Sequence, residues 1–230
     1  MTDEEKDYIN LGKKVIDYVK TMYCPDQYVG IIKSKENWRN FGKRTDIFKK
    51  RTSKTQIKIA EDKIFLLILE SPHTDEFDKN NEAIGPANGK TGRHIRKYIC
   101  DIFGDGYQGY HLVLMNVVPF QCSLCVGTKH FRDDVFKKIW HENGKDFFVD
   151  RLTELFKSKP GNFIIANCCT KGYSKKEPLY KCVSTAIESI RLPYIQLDHP
   201  SITWNTKKAR ERLREKVKSA GLYKEKASEK

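Results

Sequence analysis

The sequence predicts an α/β fold in three layers (αβα), with helices on both faces of a four-stranded parallel sheet. Four short apolar runs have the length and composition of buried strands, at residues 65–69, 112–118, 163–166 and 194–197. Between consecutive runs, apolar residues recur every three or four positions, which is typical of amphipathic helices. Alternation of buried strands with such helices favours a parallel sheet that is covered on both sides.

Helical spacing marks five segments of the chain. One precedes the strands, three lie between them, and a basic one follows the last strand: 5–22, 95–102, 147–156, 183–190 and 206–219. The first four carry their apolar residues on one face, so we expect that face to pack against the sheet.

Composition divides the chain into three parts. Residues 1–60 combine the first helix with a stretch rich in Lys and Arg, 32–58, and are interpreted as a basic, helical N-terminal extension that packs against or flanks the main domain. Residues 61–222 hold all four predicted strands and form one catalytic domain. Residues 223–230 form a polar tail.

The charge of the chain favours a polyanionic partner. There are 43 Lys and Arg residues against 30 Asp and Glu, a formal net charge of +13. Basic surfaces gain affinity for nucleic acid by releasing counterions from phosphates. Charge alone leaves open DNA, RNA, an anionic membrane surface, or a basic protein with no such partner.

The chain is expected to be cytoplasmic and to have no membrane contact. No apolar stretch reaches the length of a membrane span, and the start M-T-D-E-E-K is unlike a secretory signal. The seven cysteines are an odd number. In a cytoplasmic protein they are expected to be free thiols rather than disulfides.

Two loops at predicted strand ends carry ionisable groups. The run L-L-I-L ends in Glu70-Ser71-Pro72-His73, and a later strand ends in Leu197-Asp198-His199-Pro200-Ser201. In open α/β sheets, ligands bind at the carboxyl ends of the strands. Glu70 and His199 therefore predict an acid and base pair at one edge of the sheet.

Two further motifs accompany these loops, and the four together resemble a known superfamily. A glycine-rich turn over 85–92 leads into a helix, and Met115-Asn116-Val117-Val118-Pro119 closes the second strand. In this order the set resembles the uracil-DNA glycosylase superfamily over about residues 62–205. It is most similar to the family 4 type, which has E-x-P-G, a G-x(n)-G-[KR]-x-G turn, a strand ending in N-V-V, and a final H-P-S.

The resemblance implies a uracil-DNA glycosylase-like fold and a monofunctional DNA glycosylase that works as a monomer. Such an enzyme flips a base out of single- or double-stranded DNA and hydrolyses its N-glycosidic bond, leaving an abasic site. Positive charge develops on the sugar and negative charge on the departing base. A carboxylate near the sugar and an imidazole near a base carbonyl would stabilise these two charges.

The motif positions imply a role for each residue. Glu70 takes the place of the family 4 glutamate, His199 faces the departing base, and Asn116 reads a pyrimidine edge. Ser71 stands where the best-known members carry a catalytic Asp, so Asp75 is the alternative carboxylate. The expected DNA contacts come from the same loops and from the start of the helix after the glycine-rich turn: Ser71, Pro72, Lys90, Thr91, Ser201 and Ile202. Among these, Ile202 is expected to fill the gap left by the flipped base.

Two departures from the family pattern bear on the substrate. Leu69 replaces the glycine before the glutamate, and Pro86-Ala87-Asn88 stands where a Phe stacks on the flipped uracil. Either His73 or Phe77 is close enough in sequence to restore an aromatic surface. A pocket without that Phe suits a larger, modified pyrimidine, such as the glucosylated hydroxymethylcytosine of phage DNA. An anti-phage function and the repair of uracil both stay open.

No cofactor is expected. Family 4 enzymes hold an iron–sulfur cluster through four Cys, one pair of which lies before the first motif, whereas here Cys24 stands alone at that place. A metal site built from Cys122, Cys125 and later cysteines is the alternative. Two other functions remain open: a catalytically inactive DNA-binding protein of the same fold, and an N-glycosidase acting on free nucleosides or nucleotides.

Overall fold

The computed structural model describes most of the predicted catalytic domain and part of the N-terminal segment. It describes residues 3–32, 63–85, 87–124, 129, 131–157, 163–173 and 177–224, with the backbone alone for 3–11. Four predicted features lie wholly or largely outside these residues: the basic stretch 32–58, Pro86, Cys125 and the tail beyond 224.

Five strands form one mixed sheet, in the order β1-β3-β2-β4-β5. The strands are β1 (Gln27–Ile31), β2 (Ile64–Leu69), β3 (His111–Asn116), β4 (Phe163–Asn167) and β5 (Ile195–Gln196). Strands β2 to β5 pair in parallel, as the apolar runs predict, and β1 pairs with β3 in the antiparallel direction. The prediction of a purely parallel sheet of four strands is therefore wrong, because the N-terminal segment adds an antiparallel edge.

Helices cover both faces of this sheet, which confirms the three-layer arrangement. They are α1 (Asp3–Thr21), α2 (Lys90–Phe103), α3 (Arg132–Ile139), α4 (Lys145–Phe156), α5 (Leu179–Ser189), α6 (Pro200–Thr203) and α7 (Lys207–Ser219). A π-helical turn over Trp140–Gly144 joins α3 to α4. Within the residues described, no helix is both long enough and apolar enough to cross a membrane.

The side chains of β2 explain why its apolar run is continuous. All six of its residues are buried. Alternate side chains point to opposite faces of a strand, so Leu66 and Ile68 join a core with α1, α3, α4 and α5, while Phe65 and Leu67 join a second core with α2 and α7. A central parallel strand covered on both faces needs apolar residues at every position.

The order of the strands creates a crevice at the carboxyl edge of the sheet. From β2 the chain crosses to β3 on one side, and it then returns to form β4 on the other side of β2. Connections that leave a strand in opposite directions open a gap at the carboxyl ends of the strands, where ligands bind. Glu70 directly follows β2, and Thr170 follows β4 by three residues.

Candidate functional site

A cleft of about 560 Å³ lies at this carboxyl edge. Its walls are the loops that follow β2, β4 and β5 and the first turns of α2 and α3. Ten of the residues predicted from sequence line it: Glu70, Ser71, Pro72, His73, Asp75, Lys90, Thr91, His199, Ser201 and Ile202. These residues come from three of the four sequence motifs, whereas Asn116 of the fourth motif does not line the cleft.

Glu70 is held rigidly at the base of this cleft. It is 4% exposed. Its Oε1 accepts hydrogen bonds from the backbone N–H of Thr170, at 2.5 Å, and from the Thr170 hydroxyl. Its Oε2 lies 3.4 Å from Nη1 of Arg132 and 3.7 Å from Nε2 of His199. Both carboxylate oxygens therefore have fixed partners, and one of them faces the imidazole.

The surroundings of His199 select one tautomer of its ring. His199 caps the N-terminus of α6: its Nδ1 accepts a hydrogen bond from the Ser201 backbone N–H at 3.3 Å and lies 2.8 Å from the Ser201 hydroxyl, which can also donate to it. A nitrogen that accepts carries no proton, so the neutral ring has its proton on Nε2. Burial lowers the pKa of His199, and Arg132 lowers it further against the opposite effect of Glu70. At neutral pH the ring is a neutral donor through Nε2.

Arg132, Asp133 and Thr170 complete the site, and the sequence motifs missed all three. Nε and Nη2 of Arg132 donate to Oδ1 of Asp133 at 2.9 and 2.8 Å. Burial opposes the charge of Arg132, but Glu70 and Asp133 raise its pKa above the ordinary value, so it stays cationic. Its charge compensates a carboxylate that is almost fully removed from water. Thr170 could have been found by its place after a strand, whereas nothing in the sequence distinguishes Arg132.

Asp75 and His73 line a more open part of the cleft. Their side chains are 60% and 53% exposed, and Oδ2 of Asp75 lies 3.6 Å from Nδ1 of His73. Gly89 allows this arrangement, because a Cβ at that position would lie 2.7 Å from the same carboxylate oxygen. Asp75 therefore sits at the N-terminus of α2, where a negative charge is favoured.

Glu76 is a second buried carboxyl group in the cleft that the sequence reading missed. It is 5% exposed and lines the cleft wall. Burial raises its pKa to about 8, although hydrogen bonds from the backbone of His73 and Ala87 and from the Asn116 side chain act in the opposite direction. Glu76 is therefore mostly a neutral carboxylic acid at pH 7, with one donor and one acceptor.

Asn116 and Phe77 lie behind the cleft wall rather than in it. Asn116 is 1% exposed, and its Nδ2 donates to Oε2 of Glu76 at 3.5 Å. Its Oδ1 has no hydrogen-bond partner among the residues described. Phe77 is buried in a small cluster with Met22 and Cys24. Of the two aromatic residues predicted to face the base, the structure brings His73 to the cleft and places Phe77 away from it.

The positive charge at the cleft comes from residues other than those of the C-terminal helix. Lys90 and Lys171 line the cleft, and both are exposed. On α7, in contrast, Arg210 donates to the carbonyl of Trp204, Arg212 pairs with Asp198, and Arg214 donates to the carbonyl of Asp101. These arginines hold α7 against the body of the domain.

The cysteines near the cleft are buried thiols. Burial raises the pKa of Cys122 to about 12 and that of Cys169 well above its ordinary value, so neither is a thiolate at neutral pH. In the part of the chain that the structure describes, no three His, Cys, Asp or Glu side chains are grouped to hold a metal ion. Cys125, half of the C-x-x-C pair, lies outside that part.

Replacing Glu76 with Gln should flatten the pH dependence of the free energy of unfolding. Below pH 4.5 Glu76 is protonated in both states. Between pH 4.5 and about 8 the folded protein keeps a proton that the unfolded chain has lost, so wild-type stability falls as pH rises. The Gln side chain does not titrate, so the free energy of unfolding of the variant should not fall in this way. We expect the fall in the wild type to be on the order of a few kcal/mol. Urea denaturation of both proteins at pH 5 and pH 8.5 measures it.

Glu82→Gln is the matched control, because Glu82 is an exposed carboxylate six residues further along the chain. It should follow the wild type at both pH values. Parallel pH curves for wild type and Glu76→Gln would show that Glu76 is ionised in the folded protein across this range.

Comparison with known proteins finds no matching family model, no matching curated protein and no matching solved structure.

Proposed function

We propose that this protein is a DNA glycosylase that removes a modified pyrimidine by hydrolysing its N-glycosidic bond. The observation that carries the proposal is the Glu70–His199 pair, with 3.7 Å between Oε2 and Nε2, in a cleft at the carboxyl edge of the sheet. Hydrolysis of this bond separates positive charge on the sugar from negative charge on the base. The pair offers one group suited to each charge.

His199 acts on the departing base. Its neutral ring presents the Nε2 proton, which can donate to a pyrimidine carbonyl oxygen and stabilise the charge that develops there. The Ser201 backbone N–H keeps Nδ1 as an acceptor, so the donor is preorganised before the substrate arrives. The neutral imidazole can donate this hydrogen bond without a second proton, which agrees with the lowered pKa of His199.

Glu70 acts on the sugar. An ionised carboxylate close to C1′ stabilises the sugar cation and orients the attacking water. Arg132 and Thr170 supply a nearby cation and hydrogen-bond donors to Glu70 in spite of its burial. Asp75 remains the alternative carboxylate, because it lines the same cleft and is much more exposed.

Glu76 recognises the base, and Asn116 positions Glu76 from behind the cleft wall. A neutral carboxylic acid can donate and accept at once, which matches the edge of either cytosine or uracil. Asn116 orients this carboxyl group through its Nδ2. In this proposal Asn116 reads the base through Glu76 rather than by direct contact.

The room in the cleft supports a substrate larger than uracil. Ala87 and Asn88, which stand in the stretch that replaces the family's stacking Phe, are buried and do not line the cleft. At about 560 Å³ the cleft falls within the range of pockets that bind drug-sized ligands. A sugar-bearing pyrimidine, such as glucosylated hydroxymethylcytosine, is the substrate class we propose, and removal of such bases from phage DNA is the biological role that follows.

DNA contacts complete the proposal. Ile202 is 61% exposed at the cleft rim and is placed to fill the gap that a flipped base leaves in the stack. Lys90 and Thr91 begin α2, whose N-terminal N–H groups favour a phosphate. Ser71, Pro72 and Ser201 would touch the backbone on either side of the flipped nucleotide.

The test is base release from a panel of synthetic DNAs. Single and double strands carrying glucosylated hydroxymethylcytosine, hydroxymethylcytosine, uracil or cytosine are incubated with the protein. Abasic sites are then scored by strand scission in alkali, and released bases by mass spectrometry. We expect alkali-labile sites and free modified base from the glucosylated substrate.

Other outcomes of this assay separate the rival functions. Release of uracil alone would overturn the modified-base part of the proposal. Binding without any scission indicates an inactive DNA-binding protein, and release of base from free nucleosides alone indicates a nucleoside N-glycosidase. Glu154→Gln, an exposed change on α4, is the control for unspecific loss of activity.

A further inference from the structure

The loop that follows β4 places an aromatic ring at the rim of the cleft. Tyr173 is 62% exposed and lines the cleft on the side formed by Thr170, Lys171 and Gly172. Large aromatic rings are ordinarily withdrawn from water. Aromatic side chains commonly line ligand pockets, so an exposed ring that borders a cleft is placed to contact a ligand.

This loop is anchored by the same residues that hold Glu70. Thr170 donates to Glu70 through both its N–H and its hydroxyl, and its Oγ1 accepts from the Gly172 N–H at 3.1 Å. The Tyr173 N–H donates to Oδ2 of Asp133. Gly172 has a φ of +76°, and a Cβ on it would lie 2.5 Å from the same Asp133 oxygen. The backbone that carries the ring is fixed relative to the carboxylate.

Arg132 supports one face of the ring. The carbon at the centre of its guanidinium group lies 5.6 Å from the centroid of Tyr173, over the ring. This contact adds a cation–π attraction.

We propose that Tyr173 is the stacking platform for the planar pyrimidine ring of the bound nucleotide. Among the described residues that line the cleft, the other rings are the imidazoles of His199, which contacts Ser201 and Glu70, and of His73, which contacts Asp75. Tyr173 has a larger aromatic ring than either, and it lies on the loop that also holds Glu70. The inference rests on the proposed function, since it names the residue that holds the base of that substrate.

Binding to hydrolysis-resistant DNA tests the platform. Fluorescence anisotropy measures the Kd of single strands that carry a 2′-fluoroarabino analogue of uridine or cytidine at one position. A matched strand carries a tetrahydrofuran abasic site there instead. Tyr173→Ala should weaken binding of the strand with the base by about 5-fold to 150-fold, the range for loss of one stacked base. It should leave the abasic strand almost unaffected.

Two variants separate the ring from other effects. Tyr173→Phe keeps the ring and should keep wild-type affinity. Tyr18→Ala removes an exposed tyrosine on α1, away from the cleft, and should also keep it. Equal loss with Tyr173→Phe and Tyr173→Ala, or equal weakening on both strands, would overturn the platform.

A second measurement keeps the platform distinguishable from the glycosylase proposal. Deoxycytidine and deoxyuridine are titrated against the protein, and the H5 and H6 resonances of the nucleoside are followed by NMR. Stacking on Tyr173 moves them upfield, and Tyr173→Ala abolishes the shift. If this shift occurs while no DNA is cleaved, the platform stands and the glycosylase proposal fails. If neither DNA nor nucleoside responds to Tyr173→Ala, the platform is wrong.

Discussion

Glu70→Gln is expected to lower the rate of base release by about 10²-fold to 10⁴-fold, the range for loss of a positioned catalytic acid or base. The amide keeps the shape of the carboxylate and leaves Thr170 a carbonyl oxygen to donate to. It removes the negative charge that faces Arg132 and His199. The sugar cation then loses its counter-charge, while the fold keeps its packing. Single-turnover kinetics on the substrate identified by the base-release panel measure this effect.

Asp75→Asn tests whether Glu70 or Asp75 is the catalytic carboxylate. We expect it to retain most of the activity, because Asp75 lies in the open part of the cleft and pairs only loosely with His73. His199→Ala should lower the rate by about 10²-fold to 10³-fold, the effect of removing one preorganised donor. Full activity in Glu70→Gln combined with loss in Asp75→Asn would transfer the catalytic role to Asp75.

Arg132→Met is expected to destabilise the protein by about 3–5 kcal/mol, the usual effect of removing one partner of a buried ion pair. Glu70 and Asp133 are both less than 9% exposed. The substitution removes the cation that pairs with both of these buried carboxylates. The loop from Thr170 to Tyr173 depends on these two carboxylates for its hydrogen bonds. Activity should fall along with stability. Urea denaturation, with the slope m checked for two-state behaviour, gives the change in the free energy of unfolding.

Two companion variants separate the buried pair from a general loss of charge. Arg212→Met removes an arginine that is 67% exposed and pairs with Asp198 at the surface, so it should cost about 1 kcal/mol or less. The double variant Glu70→Met with Arg132→Met removes both partners and should be less destabilised than the sum of the two single changes. Strict additivity would mean that the two side chains do not stabilise each other.

Most of the sheet could be predicted because burial leaves a signature in the sequence. Strands β2 and β3 are covered on both faces, so β2 is an unbroken apolar run and β3 is apolar from Leu112 to Met115. Strand β1 lacks this signature, since it is an edge strand in which Gly30 adjoins a register shift opposite β3. Helix α3 has only eight residues, too few for a clear period, and it merges into the π-helical turn.

The residues of the candidate site that could be predicted lie in motifs at strand ends or at the start of α2. Glu70 directly follows β2 and His199 lies three residues after β5, so topology brings both to one edge of the sheet. Glu76 was missed because its burial depends on neighbours from distant segments: Asn116 on β3 and Cys24 from the N-terminal segment. Asn116 ends β3 as predicted, but it lies behind Glu76 rather than in the cleft. That position also depends on packing between distant segments, so the sequence did not indicate it.

Local sequence patterns were sufficient to predict the α/β class, the parallel strands β2 to β5, and the two loops that bring a carboxylate and an imidazole to one edge of the sheet. These follow from local patterns, because a strand or a helix records its own burial in the spacing of its apolar residues. The surroundings of that pair, in contrast, depend on contacts between distant parts of the chain. Arg132 pairs with Glu70 across 62 positions of the chain, and Thr170 binds it across 100. Charge compensation and desolvation act through space, so no local pattern records them.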